Sequence, residues 1–148
     1  IKNEDFIRAT LKKDNKIFEI ENIKNSLKIT YPINPNFNPD QEKLTDIRDV
    51  IESFYFYDVK KSLTSYPNNL PTLSYETKNG LILSISSVNP KEKGENWVII
   101  KVASNDPKSK ELSEEIKNKT SGFEFLANIN TSNILRWNLE DLAAQKKE

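Results

Sequence analysis

The side chains of this chain that could carry out chemistry are carboxylates, hydroxyls and amines, because its 148 residues include no His and no Cys. Without His there is no imidazole to act as a general base near neutral pH or to bind a metal. Without Cys there is no thiol nucleophile, thiolate ligand or disulfide. No Ser is followed three positions later by Lys, so the local Ser-Lys signature of penicillin-binding enzymes is missing too. The common hydrolase mechanisms are therefore excluded.

Paired carboxylates are the remaining route to acid–base catalysis, as in glycoside hydrolysis. Asp46 with Asp49 and Glu114 with Glu115 are the candidate pairs. Both pairs fall in segments predicted to be helical, where neighbouring acidic residues are more simply a solvated face. We therefore assign no catalytic residue and expect that the chain is not an enzyme.

The glycines and acidic residues form no known cofactor or metal motif. Gly80, Gly94 and Gly122 are too few and too dispersed for a phosphate-binding loop. The segment around Asp106 lacks the central Gly of a calcium loop. We predict no cofactor and no metal site.

The charge balance excludes a strong attraction to polyanions. Lys plus Arg and Asp plus Glu each number 22, which gives a formal net charge of +0. A chain without net charge has no long-range field that would draw it to nucleic acid or anionic lipid. We therefore predict no nucleic-acid partner.

The chain begins with Ile1 and contains no Met, which predicts that it is a fragment of a longer protein. Its length suits a single domain, or two small α+β subdomains, over residues 1–148. No apolar run approaches the roughly 18 to 20 residues that a membrane-spanning helix needs. We expect contact with a membrane only through an anchor in a segment absent from this chain.

Alternating apolar residues predict several strands. Residues 6–11 and 17–23 are predicted to form a hairpin, and a third strand ends at Pro32 because proline cannot donate to a ladder. Asn79-Gly80 predicts a second hairpin with a type I′ turn, which requires positive φ at both residues. Further strands are expected at residues 54–59, 97–103 and 123–129.

Periodic apolar residues predict three helices. The first follows Asp40 as its N-cap and has a clear apolar face: Leu44, Ile47, Val50, Ile51 and Phe54. The second opens at Asp106, lies on the surface and ends before Gly122. The third begins near Thr131 and also has an apolar face: Ile134, Leu135, Leu139 and Leu142. The predicted fold class is α+β, with an antiparallel-rich mixed sheet or sheets and about three helices.

A strand, a polar turn and an amphipathic helix occur twice, at residues 27–54 and 123–142. These two segments are either an internal repeat or two units of a kind that any α+β chain contains. The sequence favours neither interpretation.

Two aromatic features could form a binding surface. The run that includes Tyr55 and Tyr57 lies beside Lys60, which would suit stacking on single-stranded bases, although zero net charge favours a half-buried strand. Trp137 lies roughly 140° from the centre of the apolar face of its predicted helix. It would then point away from the local core, toward a partner, toward the missing remainder of the chain or toward a second packed face. Tyr55, Tyr57 and Trp137 are the candidate partner-binding residues.

Several motifs carry a family resemblance. They are Gly122-Phe123-Glu124-Phe125, the helix end Leu139-Glu140-Asp141-Leu142, Ile29-Thr30-Tyr31-Pro32 and Leu70-Pro71. In this order of strands and helices the chain resembles, along most of its length, the bacterial family called domain of unknown function 4340. The glycine that members usually carry after the central hairpin is absent near Val88.

The resemblance implies a membrane-anchored protein found beside ABC-transporter components of the gliding-motility type, with no catalytic residues to carry over. It implies a non-catalytic scaffolding or binding domain, accessory to a membrane transport or motility assembly, with a protein partner from that membrane complex. The implied localisation is periplasmic or otherwise extracytoplasmic. The alternative is a stand-alone peptide- or glycan-binding module that uses the aromatic residues.

Overall fold

The computed structural model describes residues 5–34, 36–52, 56–63, 65–88 and 96–144. Within these residues the protein is an α+β fold with one eight-stranded sheet and three α-helices. The α+β class and the number of helices are as the sequence predicts. Every strand pairing in the described part of the chain is antiparallel, so the sheet there is antiparallel rather than mixed.

The sheet follows the order β3-β2-β1-β5-β6-β7-β8-β4. Its strands are β1 (Phe6–Lys13), β2 (Lys16–Ile23), β3 (Ser26–Tyr31), β4 (Phe56–Lys61), β5 (Thr72–Thr77), β6 (Leu81–Ser87), β7 (Trp97–Ser104) and β8 (Phe123–Ala127). The α-helices are α1 (Gln41–Asp49), α2 (Lys110–Thr120) and α3 (Ile129–Arg136). Because β4 lies at an edge and β5 lies in the middle, the connection between them must cross the sheet.

The first three strands are joined by two tight turns. Asp14 and Asn15 have φ of 49° and 63°, and Lys24 and Asn25 have φ of 51° and 65°. Two consecutive residues with positive φ are the type I′ geometry, whose twist matches that of the flanking strands. The predicted first hairpin is therefore confirmed, with strands slightly longer than the pattern indicates.

The hairpin around Gly80 forms as predicted, but the prediction of a type I′ turn is wrong. Gly80 has φ of 79°, whereas Asn79 does not have positive φ. The Gly80 N–H donates to the Thr77 carbonyl at 3.0 Å. Since β5 ends at Thr77, the loop includes Lys78 as a third residue, the arrangement of a type I turn followed by a left-handed glycine.

One face of the sheet, the core face, carries the apolar core. Leu73, Tyr75 and Ile85 are buried on its central strands. The helix α1 is capped at Asp40, whose carboxylate accepts from the backbone N–H of Glu42 at 3.0 Å. Four residues of the first predicted apolar face are buried and join this core: Leu44, Ile47, Val50 and Ile51. The fifth, Phe54, lies outside the described residues.

The opposite face, the polar face, is lined by charged and hydroxyl side chains. Arg8 Nε lies 2.8 Å from Glu21 Oε1 and 3.2 Å from Glu19 Oε1. Hydroxyl pairs join neighbouring strands, among them Thr72 with Ser86 at 2.8 Å. The connection from β4 to β5, of which residues 62–63 and 65–71 are described, passes over this face.

The third helix is shorter than predicted. It ends at Arg136, and Trp137 has extended backbone with φ of -66° and ψ of 142°. A separate 3-10 turn, Leu139–Leu142, follows, and Asn138 and Asp141 close a capping box at its start. Capping at Asn138 begins a new turn on a new axis, so the four predicted apolar residues do not share one helix face.

The helix α2 lies on the surface, as predicted. Leu112 is 41% exposed and Ile116 is half-buried against the core. Gly122 follows the helix with φ of 83°, the left-handed conformation expected after a helix end. Among the described residues, no helix combines the length and the apolar composition needed to cross a bilayer.

Both predicted strand–turn–helix segments are present, as β3 with α1 and as β8 with α3. Residues 32–40 separate β3 from α1, whereas Asn128 alone separates β8 from α3. The strand β3 lies at a sheet edge and β8 lies inside the sheet. The structure therefore does not confirm an internal repeat.

Candidate functional site

A cleft of about 330 Å³ opens where three elements meet: the tip of the β1–β2 hairpin, the end of β3, and the junction between α3 and the following 3-10 turn. We call it the Trp137 cleft. Its lining residues are Leu11, Lys13, Asn15, Lys16, Ile17, Phe18, Tyr31, Pro32, Trp137, Asn138, Leu139 and Glu140. The cleft thus combines aromatic and aliphatic walls with a polar rim.

Trp137 reaches this cleft because the chain leaves the helix just before it. The prediction that Trp137 points away from the local core is wrong, since it rests on a helix that does not extend so far. The indole is half-buried against the core. Lys43 Nζ lies 5.4 Å from the centroid of its ring, and Lys13 Nζ donates to the Arg136 carbonyl at 2.9 Å. The Lys13 bond holds the backbone just before Trp137, and the half-buried indole forms one wall of the cleft.

Large apolar side chains in and next to the Trp137 cleft are exposed to solvent. Ile17 is 41% exposed and Tyr31 is 55% exposed, and Ile33, which follows Pro32, is 87% exposed. A second groove of about 200 Å³ shares Pro32 and Leu139 with the cleft and continues it along β3. A continuous apolar surface with a polar rim is typical of interaction sites.

The Trp137 cleft is lined by polar groups that suit recognition of a ligand. Lys13 and Lys16 supply cations, Asn15 and Asn138 supply amides, and Glu140 is the single carboxylate of the lining. One carboxylate does not form the acid and base pair of a glycosidase. The cleft can hold an apolar side chain or a sugar ring and donate or accept hydrogen bonds at its rim.

The structure does not bring the three predicted partner-binding residues together. Tyr55 lies outside the described residues. Tyr57 lies on β4 and is 63% exposed, at the opposite edge of the sheet from β3. It does not line the Trp137 cleft. The prediction of a strand here is confirmed, but β4 is largely exposed rather than half-buried.

A second cavity, of about 610 Å³, lies between the polar face and the crossing segment 62–71. Tyr66 in this segment donates from its hydroxyl to Glu124 of β8, whose side chain is only 5% exposed. Lys60 Nζ lies 3.7 Å from Glu124 Oε1 and 4.2 Å from the centroid of the Trp97 ring. Burial, followed by the hydrogen bond to Glu124, raises the pKa of the Tyr66 hydroxyl.

The carboxylate pairs considered for catalysis lie on helices and do not line either cavity. Partial burial, and then the nearby charge of Asp49, raises the pKa of Asp46. Asp49 itself accepts from Arg48 Nε at 2.9 Å, and Glu115 pairs with Lys119 one turn later at 3.1 Å. Among the described residues, no group of acidic side chains is arranged to hold a metal ion.

Sequence reasoning missed Tyr31 and Ile17 as walls of the cleft. A signal for Tyr31 exists, because it is the last apolar residue of an alternating strand and is followed directly by Pro32. Ile17 gave no such signal, since an alternating pattern does not tell which of its two faces the rest of the protein covers. The buried Glu124 was also missed because the segment that covers it is distant in sequence.

Comparisons with known proteins assign no family to the chain. No family model matches it, and searches of curated proteins and of solved structures return no similar protein. The resemblance to domain of unknown function 4340 therefore stays a prediction.

Proposed function

We propose that this chain is a non-catalytic binding domain that holds a segment of a protein partner in the Trp137 cleft. The observation that carries the proposal is the exposed Tyr31 and Ile17 beside the half-buried Trp137 around one concavity. Leaving such side chains in water forgoes about 25 cal/mol for each Å² of apolar area. A partner that covers them recovers this free energy.

The geometry suits a peptide segment with an apolar anchor residue. Tryptophan and tyrosine dominate binding energies at interfaces because they offer a large rigid area and one polar atom. Trp137 already packs against the core, so its side chain loses less conformational entropy when a ligand packs on it. The groove along β3 would hold the residues that flank the anchor.

The setting of this binding domain is proposed from the family resemblance. We place it outside the cytoplasm, anchored through a segment beyond this chain, as an accessory to a membrane transport or motility assembly. Its partner would then be another component of that assembly. Fractionation of cells that express the uncut gene tests this setting, and recovery of the protein solely in the cytoplasm would contradict it.

A displayed library of random peptides tests the binding function directly. We expect the wild-type chain to enrich peptides with a shared apolar or aromatic position. Tyr31→Ala removes an exposed wall of the cleft and should weaken the enriched peptides about tenfold or more, since losses above 1.4 kcal/mol are usual at aromatic anchors.

A matched control uses the other tryptophan of the chain. Trp97 lies beside Lys60 near the polar face, far in the sheet order from β3, so Trp97→Phe should leave peptide binding unchanged. The same variant makes Trp137 the sole tryptophan, and its fluorescence should then change on addition of an enriched peptide. Equal binding by wild type and Tyr31→Ala would refute the Trp137 cleft as the site.

A glycan is the second candidate ligand. Sugar rings pack on aromatic faces while amides and carboxylates bond their hydroxyls, and the cleft offers Asn15, Asn138 and Glu140 beside Trp137 and Tyr31. A glycan array probed with wild type and with Tyr31→Ala distinguishes the two. Retention of one glycan class by the wild type alone, with no enriched peptide, would replace the peptide by a sugar.

A further inference from the structure

The strand β4 forms the edge of the sheet opposite to β3, and its pairing partner is β8. Its backbone direction can be read from two hydrogen bonds. The Ser62 N–H donates to the Gly122 carbonyl at 2.9 Å, which continues the β4–β8 ladder. The Val59 N–H instead donates to the side chain of Asp58 at 2.8 Å. Because peptide groups alternate along a strand, Val59 and Lys61 direct theirs toward the free edge.

Exposed apolar side chains lie along this edge, among the exposed Asp58, Lys60 and Lys61. Val59 is 52% exposed, Tyr57 is 63% exposed, and Leu63, just after the strand, is 66% exposed. On the neighbouring strand, Phe123 is 39% exposed. Among the described residues, no strand pairs with the outer side of β4. An edge strand beside exposed apolar side chains is a template for pairing with another strand.

We propose that β4 pairs with β4 of a second copy of this chain, antiparallel and centred on Val59. A twofold axis through the centre of the pair places Val59 opposite Val59 of the second copy. It also places Asp58 opposite Lys60 of the second copy, twice by symmetry. The two sheets become one continuous sheet across the interface, an isologous contact of the kind that closes a dimer.

Charge selects this register over its neighbours. The side chains that face each other in an antiparallel pair lie on the same side, so the pairing shifts in steps of two residues. One step in one direction places Asp58 opposite Asp58, and one step in the other places Lys60 opposite Lys60. Both alternatives oppose like charges, which destabilises a cross-strand pair, whereas the Val59 register opposes charges of different sign.

The side chain of Asp58 covers the outward N–H of Val59 in the single chain. In the dimer, this N–H donates to the Val59 carbonyl of the second copy, and Asp58 turns to Lys60 of that copy. Two local hydrogen bonds, one in each copy, are thus exchanged for backbone bonds between the copies and two ion pairs. In each of these ion pairs, Lys60 faces Asp58 of the other copy in addition to Glu124 of its own chain, whose Oε1 lies 3.7 Å from Lys60 Nζ.

Sedimentation of the full chain over a wide range of concentrations tests the dimer. We expect a dimer fraction that rises with concentration. Val59→Pro removes an N–H that the β4–β8 ladder does not use, so it should leave a folded monomer. Asp58→Lys opposes lysines at both ends of the interface and should raise the dimer dissociation constant about tenfold or more. Circular dichroism of each variant verifies that the sheet is intact.

A single cysteine tests the register, since the chain has none of its own. Val59→Cys brings two thiols to opposite positions with Cα atoms about 5.5 Å apart, within the range for a disulfide. Oxidation should then yield a covalent dimer. Lys28→Cys, an exposed position on β3, is the matched control at the other edge and should stay monomeric.

The dimer and the Trp137 cleft are tested separately. Tyr31→Ala should leave sedimentation unchanged, and Val59→Pro should leave peptide binding unchanged. A chain that is monomeric at every concentration would overturn the proposed pairing. So would a dimer that is insensitive to both Val59→Pro and Asp58→Lys, or equal cross-linking of the two cysteine variants.

Discussion

The two faces of the sheet are covered by different means. On the core face, α1 and α3 bury a continuous set of apolar side chains, and Tyr75 donates its hydroxyl to the Ile47 carbonyl of α1. On the polar face, the crossing segment 62–71 makes the corresponding contact through Tyr66 and Glu124, but it leaves a cavity of about 610 Å³ beneath it. Each face thus has a tyrosine that ties its cover to the sheet.

The two faces therefore contribute differently to the stability of the fold. Burying apolar area is the dominant favourable contribution to folding, and the core face supplies most of it. The polar face relies on hydrogen bonds and ion pairs, whose net contributions are smaller because water competes for the same groups. We therefore expect substitutions on the core face to change the free energy of unfolding most.

Adjacent residues of β6 give the largest expected contrast. Ile85 is fully buried on the core face, and Ser84 is half-buried on the polar face, where it shares a hydrogen bond with Ser74 at 3.0 Å. Ile85→Ala should cost about 2–5 kcal/mol in the free energy of unfolding, from lost burial and the cavity left behind. Ser84→Ala should cost about 1 kcal/mol or less.

Urea denaturation of both variants measures the contrast between the two faces. The unfolding slope should stay the same, so the midpoints alone report the difference. Equal losses for Ile85→Ala and Ser84→Ala would show that the polar face contributes to folding as much as the core face does.

Much of the core face could be predicted from the sequence, because alternation along a strand separates its two faces. The Asp40 cap and the Gly122 helix end were also predictable, since each depends on a few local residues. The strand order was not, because it depends on contacts between distant segments. Without the order, nothing indicated that residues 62–71 cross the sheet or that Glu124 becomes buried.

The candidate site could be predicted only in part, for the same reason. Trp137 was selected from its angle on a helix, but the helix ends one residue earlier, at a cap that Asn138 forms for the next turn. The residue was therefore identified by reasoning that the structure corrects. Its neighbours Tyr31 and Ile17 come from strands more than a hundred residues away, and no local pattern links them to it.

The hydrogen bond between Tyr66 and Glu124 tests how the polar face tolerates a buried charge. Tyr66→Phe removes a donor from a carboxylate that is 5% exposed, which should cost about 1–3 kcal/mol because the charged group loses its hydrogen bond. The double variant Tyr66→Phe with Glu124→Leu should recover part of this loss, since no charge stays buried.

Thermal denaturation of the single and double variants gives the comparison. Cleavage in residues 62–71 by a protease should become faster in Tyr66→Phe, because the segment loses its tie to the sheet. If the double variant is less stable than Tyr66→Phe, the carboxylate is needed for more than its bond with this tyrosine.

High pH should destabilise the folded chain through the buried tyrosine of the core face, Tyr75. Burial raises the pKa of Tyr75 well above its ordinary value of 10.0, so the folded chain keeps this proton where the unfolded chain releases it. The contribution of protonated Tyr75 to the free energy of unfolding is unchanged below about pH 10 and is lost as the pH rises further. Above that pH, the free energy of unfolding should fall by about 1.4 kcal/mol per pH unit from this group alone.

Tyr75→Phe isolates this effect, because the other titrating groups are common to both proteins. The difference in free energy of unfolding between wild type and variant, followed from pH 9 to pH 11, should be constant at first and then decline. A difference that stays constant throughout would mean that Tyr75 ionises equally in the folded and unfolded chains.

A small effect is expected from Arg8, which lies on the polar face among three carboxylates: Glu19, Glu21 and Glu76. Its side chain is 40% exposed, so water and salt screen these pairs, and such pairs contribute about 0–1 kcal/mol each. Arg8→Met keeps the aliphatic length and leaves the three carboxylates to repel one another. We expect a loss of about 1 kcal/mol in dilute buffer that shrinks in concentrated sodium chloride, where both the attraction and the repulsion are screened. Urea denaturation at the two salt concentrations measures this, and a loss that grows with salt would show that Arg8 acts through apolar packing, as the core face does.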